Sequence, residues 1–270
     1  ARALEYYQEK EYATAKMFLE MVVNEEPTVD VFHLLAIVEE KSQGELEQII
    51  IWLNKAFEIA PDSPDLNNTL GDILVERKQY QGAINAFEKT LKLNPDHPDA
   101  RYNIGASLMR LRKYEAAEEN LRKVLEDQPS HIGALQNLSL ALKELDFQQE
   151  SLETSERLLE VQESEISCNN HGTILKEMNR KEEALKYFER AIVLNPQYAP
   201  AYCNVGLMML ELGEPELAIT HYKYAISLDD QDPTFYHNLA FAYFAANRYG
   251  EGWDVFRHRK LVKDVAGYTG

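Results

Sequence analysis

Proline recurs in this chain at a fixed step: Pro27, Pro61, Pro95 and Pro129 stand 34 residues apart, and Pro196 follows 67 residues after Pro129. Leu, Glu, Ala and Lys dominate the stretches between them. A 34-residue period with helical patterning is the signature of an array of helix pairs. One pair cannot bury its own apolar face, so such a chain must stack copy upon copy. With each proline at position 32, units fall at 64–97, 98–131, 132–164, 165–198 and 199–232. A shorter unit at 1–28 and one with a single inserted residue at 29–63 precede them, and a last unit runs over 233–266. The array is taken as residues 1–246, with a capping helix and the start of a linker at 247–270.

Other columns follow the same register. Position 8 holds Ala3, Ala36, Gly71, Gly105, Ser139, Gly172, Gly206 and Ala240. Position 20 holds Ala15, Ala83, Ala117, Ser151, Ala184, Ala218 and Gly252, with Ile49 the exception. Small residues at both positions let two antiparallel helices approach closely where they cross. Phe87, Leu121, Phe188, Tyr222 and Phe256 recur at position 24, where they are expected to fill the space between neighbouring units. Proline closes each second helix, because it lacks an N–H and restricts the residue before it.

These residues resemble the tetratricopeptide repeat family over residues 1 to about 260; the 165–198 unit matches it best, through Gly172, Ala184, Phe188, Ala191 and Pro196. The resemblance implies an all-α fold, a right-handed superhelical solenoid of about seven to eight antiparallel helix pairs, whose first helices line a concave groove.

Composition removes several functions. With 28 basic against 45 acidic residues the net charge is −17, the wrong sign for tracking nucleic-acid phosphates. No apolar run reaches the length of a membrane span. Two cysteines, Cys168 and Cys203, make neither a disulfide framework nor a zinc quartet, and fit a reducing, cytoplasmic setting. The chain opens Ala1-Arg2-Ala3 without a Met, so it is expected to be a segment of a longer protein. No Gly-rich phosphate loop, His-Glu-x-x-His or Gly-x-Ser-x-Gly is present, so neither catalysis nor a cofactor is expected. Cys168 and His171 lie one helical turn apart and could share a metal, but position 7 places His171 among core residues. The pairs Glu118-Glu119 and Glu182-Glu183 fall near the starts of second helices, where carboxylates complement the helix dipole.

The groove columns carry the functional signal. Position 6 reads Asn103, Asn137, Asn170, Asn204 and Asn238 in five consecutive units, after Thr69. Asn is a mediocre helix former, so a mid-helix column of it needs a reason. Its amide offers donors and an acceptor on a short arm, a match for a peptide's C=O and N–H whatever its side chains. Position 5 adds Tyr102, Gln136, Asn169, Cys203 and His237. The candidate peptide-binding residues are therefore Asn103, Asn137, Asn170, Asn204, Asn238, Tyr102, Asn169 and His237. The column is similar to that of the repeat domain of O-linked N-acetylglucosamine transferases, which implies that the asparagines hold a protein segment by its backbone. A purely structural role for the column stays open at this point. Another subgroup of the family clamps a C-terminal carboxylate with basic residues at positions 2 and 6. Position 2 here reads Asp65, Asp99, Gly133, Ile166, Pro200 and Thr234, so that mode is excluded.

Three departures from regularity remain. Unit 132–164 places Ser139, Gln148, Ser151 and Ser155 at columns that are usually apolar or Ala, and it lacks the closing proline; it reads either as drift or as a softer joint. The 45–59 helix carries Ile49-Ile50-Ile51-Trp52-Leu53, apolar all round, which suits packing against preceding sequence or self-association. The tail pattern Gly-Glu-Gly-Trp-x-x-Phe-x-x-Arg over Gly250 to Arg259 is similar to the exit segment of bacterial repeat arrays that continue into glycosyltransferase-like domains. Two functions follow: a scaffold whose groove binds an extended peptide of a partner, or the substrate-recruiting module of a larger transferase.

Overall fold

The computed structural model describes residues 2–265, and among them it holds sixteen helices and no strand. They come as eight consecutive pairs: α1 (Arg2–Gln8) with α2 (Tyr12–Glu25), α3 (Val29–Lys41) with α4 (Leu46–Ile59), α5 (Pro64–Glu76) with α6 (Tyr80–Leu93), and α7 (Ala100–Arg110) with α8 (Tyr114–Asp127). The series continues with α9 (Ile132–Glu144) and α10 (Gln148–Val161), α11 (Glu165–Glu177) and α12 (Lys181–Leu194), α13 (Ala199–Glu211) and α14 (Pro215–Leu228), and α15 (Pro233–Ala245) and α16 (Tyr249–Val265). The expected all-α array of helix pairs is thus what the chain forms. It divides into two compact units, one ending at Pro129 and the other beginning at Ser130, and each has its own core. In α16 the helix of the eighth pair runs on to Val265; the expected linker start at 266–270 lies outside the described residues.

Every turn inside a pair is built alike. One residue of each takes a left-handed backbone: Lys10, Gln43, Lys78, Arg112, Asp146, Asn179, Gly213 and Asn247, with φ between 57° and 80°. The next N–H then reaches back five residues, as Gln79 does to the Leu74 carbonyl (2.8 Å) and Arg180 to that of Leu175 (2.9 Å). This closes the first helix by the Schellman pattern and satisfies carbonyls that would otherwise be orphaned. Second helices end where the proline requires: Glu26, Ala60, Asn94, Gln128 and Asn195, each one residue before a proline, leave the helical region with ψ of 74° to 97°. The α10 helix stops at the same place without a proline, at Gln162 (ψ 105°).

Positions 8 and 20 do bring the helices together. Ala15, Ala36, Ala83, Ala117, Ser139, Ala184, Ala218 and Ala240 are wholly buried. At position 8 the glycines seat the position 24 side chain of their own pair: a Cβ at Gly172 would lie 2.7 Å from the Phe188 ring and 3.1 Å from the Ala184 carbonyl, and one at Gly71 would run into the Phe87 ring. Position 24 thus fills the crossing of its own pair in addition to the expected space toward the neighbouring unit. The ring is wedged first into its own crossing, because glycine opens a notch there.

The serines of unit 132–164 are satisfied. Ser151 donates to the Ser139 carbonyl (2.8 Å), and Ser155 donates to that of Leu152 (2.7 Å). The Ser155 hydroxyl also shares a 2.7 Å hydrogen bond with Nδ1 of His171 on the next helix. His171 is buried, its ring edge-on to Tyr187 at 4.3 Å. The Ser155–His171 bond is therefore a polar joint between neighbouring pairs, while Ser139 and Ser151 are satisfied within their own pair. The apolar α4 turns Ile49, Leu53 and Ala56 into the first unit's core and stacks Trp52 on Phe32, with Lys55 over both rings. Ile51 and Ile59 remain on its exposed side.

Candidate peptide-binding face

The first helices of each unit lie side by side, and column 6 runs down them. Its amides are not equivalent. In the unit ending at Pro129, Asn103 Nδ2 donates to Asp72 Oδ1 (3.0 Å), and one joint earlier the Thr69 hydroxyl is 2.7 Å from Nε2 of His33. In the unit beginning at Ser130, Asn204 Nδ2 donates to Asn169 Oδ1 (2.8 Å), and Asn238 Nδ2 donates to the Cys203 sulfur (3.3 Å). His33, Asn169 and Cys203 all occupy position 5. At these three joints the rung runs from position 6 of one repeat to position 5 of the repeat before it; Asn103 instead reaches Asp72, at position 9 of the preceding repeat.

Asn137 and Asn170 break the pattern. Both are half-buried, and neither side chain makes a hydrogen bond to any described residue. Each keeps two donors and an acceptor open. The bonded members keep one N–H and the Oδ1 unengaged while their amide plane is fixed by the rung. Of the remaining candidates, Asn169 is buried and committed to Asn204. His237 is half-buried against Phe241 (4.7 Å) and Phe256 (6.4 Å), and Tyr102 is half-buried.

Burial sets the thiol chemistry. Cys203 is pushed up to about 11, mainly by desolvation, while the Asn238 bond acts the other way. Its sulfur is thus a protonated acceptor, not a nucleophile. Cys168 is wholly buried and likewise pushed up to about 11, and His171 is lowered to about 4 by burial and then by Arg180. No group of three or more potential metal ligands is found among the described residues.

One cleft of about 430 Å³ opens on this face within the first unit, between α3, α5 and α7, with Asp72, Glu76, Asn103 and Arg110 on its walls. The Asp72 carboxylate is held by two amides, Asn103 on Oδ1 and Asn68 on Oδ2 (3.1 Å). Asp72, Asn68 and His33 are the residues that column 6 alone does not reveal. For Asn68 and His33 the signal was that column 5 is hydrogen-bond-capable in every unit from His33 to His237; Asp72, at position 9, had none.

A solenoid of paired helices with a polar column down its first helices is a protein-interaction scaffold by architecture. The chain belongs to the tetratricopeptide repeat family: models described as "Tetratricopeptide repeat" match residues 74–142 and 166–198, and one described as "TPR repeat" matches 206–247. Protein FlbA of Caulobacter vibrioides is 30% identical over 74 residues, 27% of this chain and 12% of FlbA. Among solved structures, a tetratricopeptide repeat protein from Parabacteroides merdae superposes with a TM-score of 0.71 at 20% identity, over 89% of this chain and 96% of that one. The Cut9–Hcn1 hetero-tetramer gives 0.69 at 14% identity over 89% of this chain and 48% of that chain. YrrB, described as having an unusual peptide-binding site, gives 0.52 at 21% over 66% and 92%. At these identities the likeness to solved structures is one of fold. No described helix is long and apolar enough to cross a membrane.

Proposed function

We propose that the first-helix face binds an extended segment of a partner protein by its backbone, with Asn137 and Asn170 as the main anchors. The observation that carries this is the pair of half-buried amides with no partner inside a column whose other members are committed to rungs. These amides have no protein partner, and a peptide C=O and N–H would match them. The rungs hold the neighbouring amides in fixed planes, which lowers the ordering cost of binding. Asn204, Asn238 and His237 complete the contact surface of that unit, and Asn103 and Tyr102 offer contacts of the same kind within the unit ending at Pro129.

Short peptides selected from a random display library against this chain test the mode of binding. Methylating the peptide amide nitrogens that contact the column should lower affinity by about tenfold per site, the value of one charge-neutral hydrogen bond. Replacing the peptide's side chains one at a time with Ala should change it far less. The reverse ranking would overturn backbone recognition. A recruiting module for a transferase would use the same face; the Trp253 segment of α16, 56% exposed at its Trp, is the feature that favours it, and the sequence following Gly270 tests it. Self-association through α4 would rest on Ile51 and Ile59, and sedimentation of an Ile51→Lys variant tests that.

A further inference from the structure

We infer that the cleft between α3, α5 and α7 is a subsite for a cationic side chain of a segment bound to the unit ending at Pro129, an arginine or a lysine, with Asp72 as its counter-ion. The inference rests on the peptide-binding reading and adds to it the chemistry of one side chain.

Asp72 has no ion-pair partner; both its carboxylate oxygens accept from neutral amides, Asn103 and Asn68, and each retains acceptor capacity. The residue is exposed, and the surface it exposes faces the cleft it lines. Ser107 is an independent pointer to a ligand. It lines the same cleft at 2% exposure, and its hydroxyl has no hydrogen-bond partner. A mid-helix serine ordinarily bonds back to its own helix; this one leaves a buried hydroxyl without a partner in the cleft wall. Val75 and Ala106 line the cleft beside it and suit the methylene stem of a long cation. An arginine or lysine laid along them would present its head to Asp72 and Ser107 together.

The charges facing Asp72 come from every surrounding element: Glu76 on α5, Asp99 and His97 before α7, and Lys41 at the end of α3. Arg110 of α7 also lines the cleft. Leaving the histidine aside, three carboxylates, Asp72, Glu76 and Asp99, stand beside two permanent cations, Lys41 and Arg110. Desolvation first, and then Asp99, push the Asp72 carboxyl up to about 6. A carboxylate that takes a proton so readily accepts a cationic donor in the proton's place.

The probes are acetyl-arginine amide and its uncharged isostere acetyl-citrulline amide, titrated into the full chain at about pH 7.5 while the side-chain amide NMR signals of Asn68 and Asn103 are followed. The arginine probe should shift them saturably, and the citrulline probe should bind at least about tenfold more weakly, the loss of one charge-assisted bond. Asp72→Asn should abolish the difference between the probes, and Ser107→Ala should weaken the arginine probe several-fold. At about pH 5 binding should fall roughly tenfold as Asp72 protonates. Absence of a saturable shift at millimolar probe, or equal binding of both probes by the native chain, would overturn the subsite. Selected peptides that bind the Asn137–Asn170 region while the arginine probe fails would sink the subsite alone. The opposite result would sink the backbone reading and leave the subsite standing.

Discussion

Asn170 and Asn204 occupy the same column in consecutive repeats, yet only Asn204 is tied to its neighbour, by the 2.8 Å bond to Asn169. The asparagine column was legible in the sequence because it departs from helix propensity. The division of labour within it was not, because each rung's partner lies 31 to 36 residues back and only folding selects it. His171 carries a second consequence at this scale. Its folded value of about 4 lies below the unfolded value of about 6.5, so the unfolded chain binds more protons between them. The stability it contributes is therefore complete above about pH 6.5 and is lost as pH falls toward 4, up to about 3 kcal/mol in all. Urea denaturation between those limits should show this slope, and His171→Leu should flatten it; an unchanged slope would remove the histidine from the account. Gly172→Leu forces a branched chain against Phe188 and the Ala184 carbonyl and should cost about 1–3 kcal/mol or more.

At the scale of helices, the sequence marked second-helix ends clearly and first-helix ends poorly. Proline at position 32 restricts its predecessor wherever it occurs, so its period is visible. The left-handed residue at position 15 is as regular, but Lys10, Gln43, Lys78 and Arg112 are not residues that announce a turn. Only Asp146, Asn179, Gly213 and Asn247 hint at it. For an ordinary side chain the left-handed conformation costs about 1–2 kcal/mol. Glycine removes that strain while adding some entropy to the unfolded chain. Lys78→Gly should thus stabilise the chain by about 0.5–1 kcal/mol in urea denaturation, and a destabilised variant would mean that the Lys78 side chain does something at that turn. The two-sided apolar character of α4 was equally visible, but its destination was not. Trp52 is absorbed by Phe32 and Lys55 of its own unit, a pairing set by the helix crossing.

Across the whole molecule, the excess of acidic residues shapes what can approach. A net charge of −17 sets up a negative field that speeds the approach of basic segments and slows acidic ones. Association rates of basic peptides should fall as salt rises, since the Debye length shrinks to about 8 Å at physiological ionic strength. Tight, salt-insensitive binding of a strongly acidic peptide would contradict this. Repeat number and helix pairing were readable from period alone, because a stacked array repeats its packing problem along the chain. Binding chemistry was not, because the same amide serves as a rung at one joint and stands open at the next. The most direct measurement compares two double variants, Asn137→Ala with Asn170→Ala, and Asn204→Ala with Asn238→Ala, for melting temperature and for affinity toward a library-selected peptide. Removing the free pair should leave melting unchanged or slightly raised, since Ala is the better helix former, and should weaken binding by about 1–3 kcal/mol, roughly five- to 140-fold. Removing the rung pair should lower melting and affect binding less. If the first variant melts lower and binds its peptide as well as the native chain, the column is framework throughout and the proposed mode of binding is wrong.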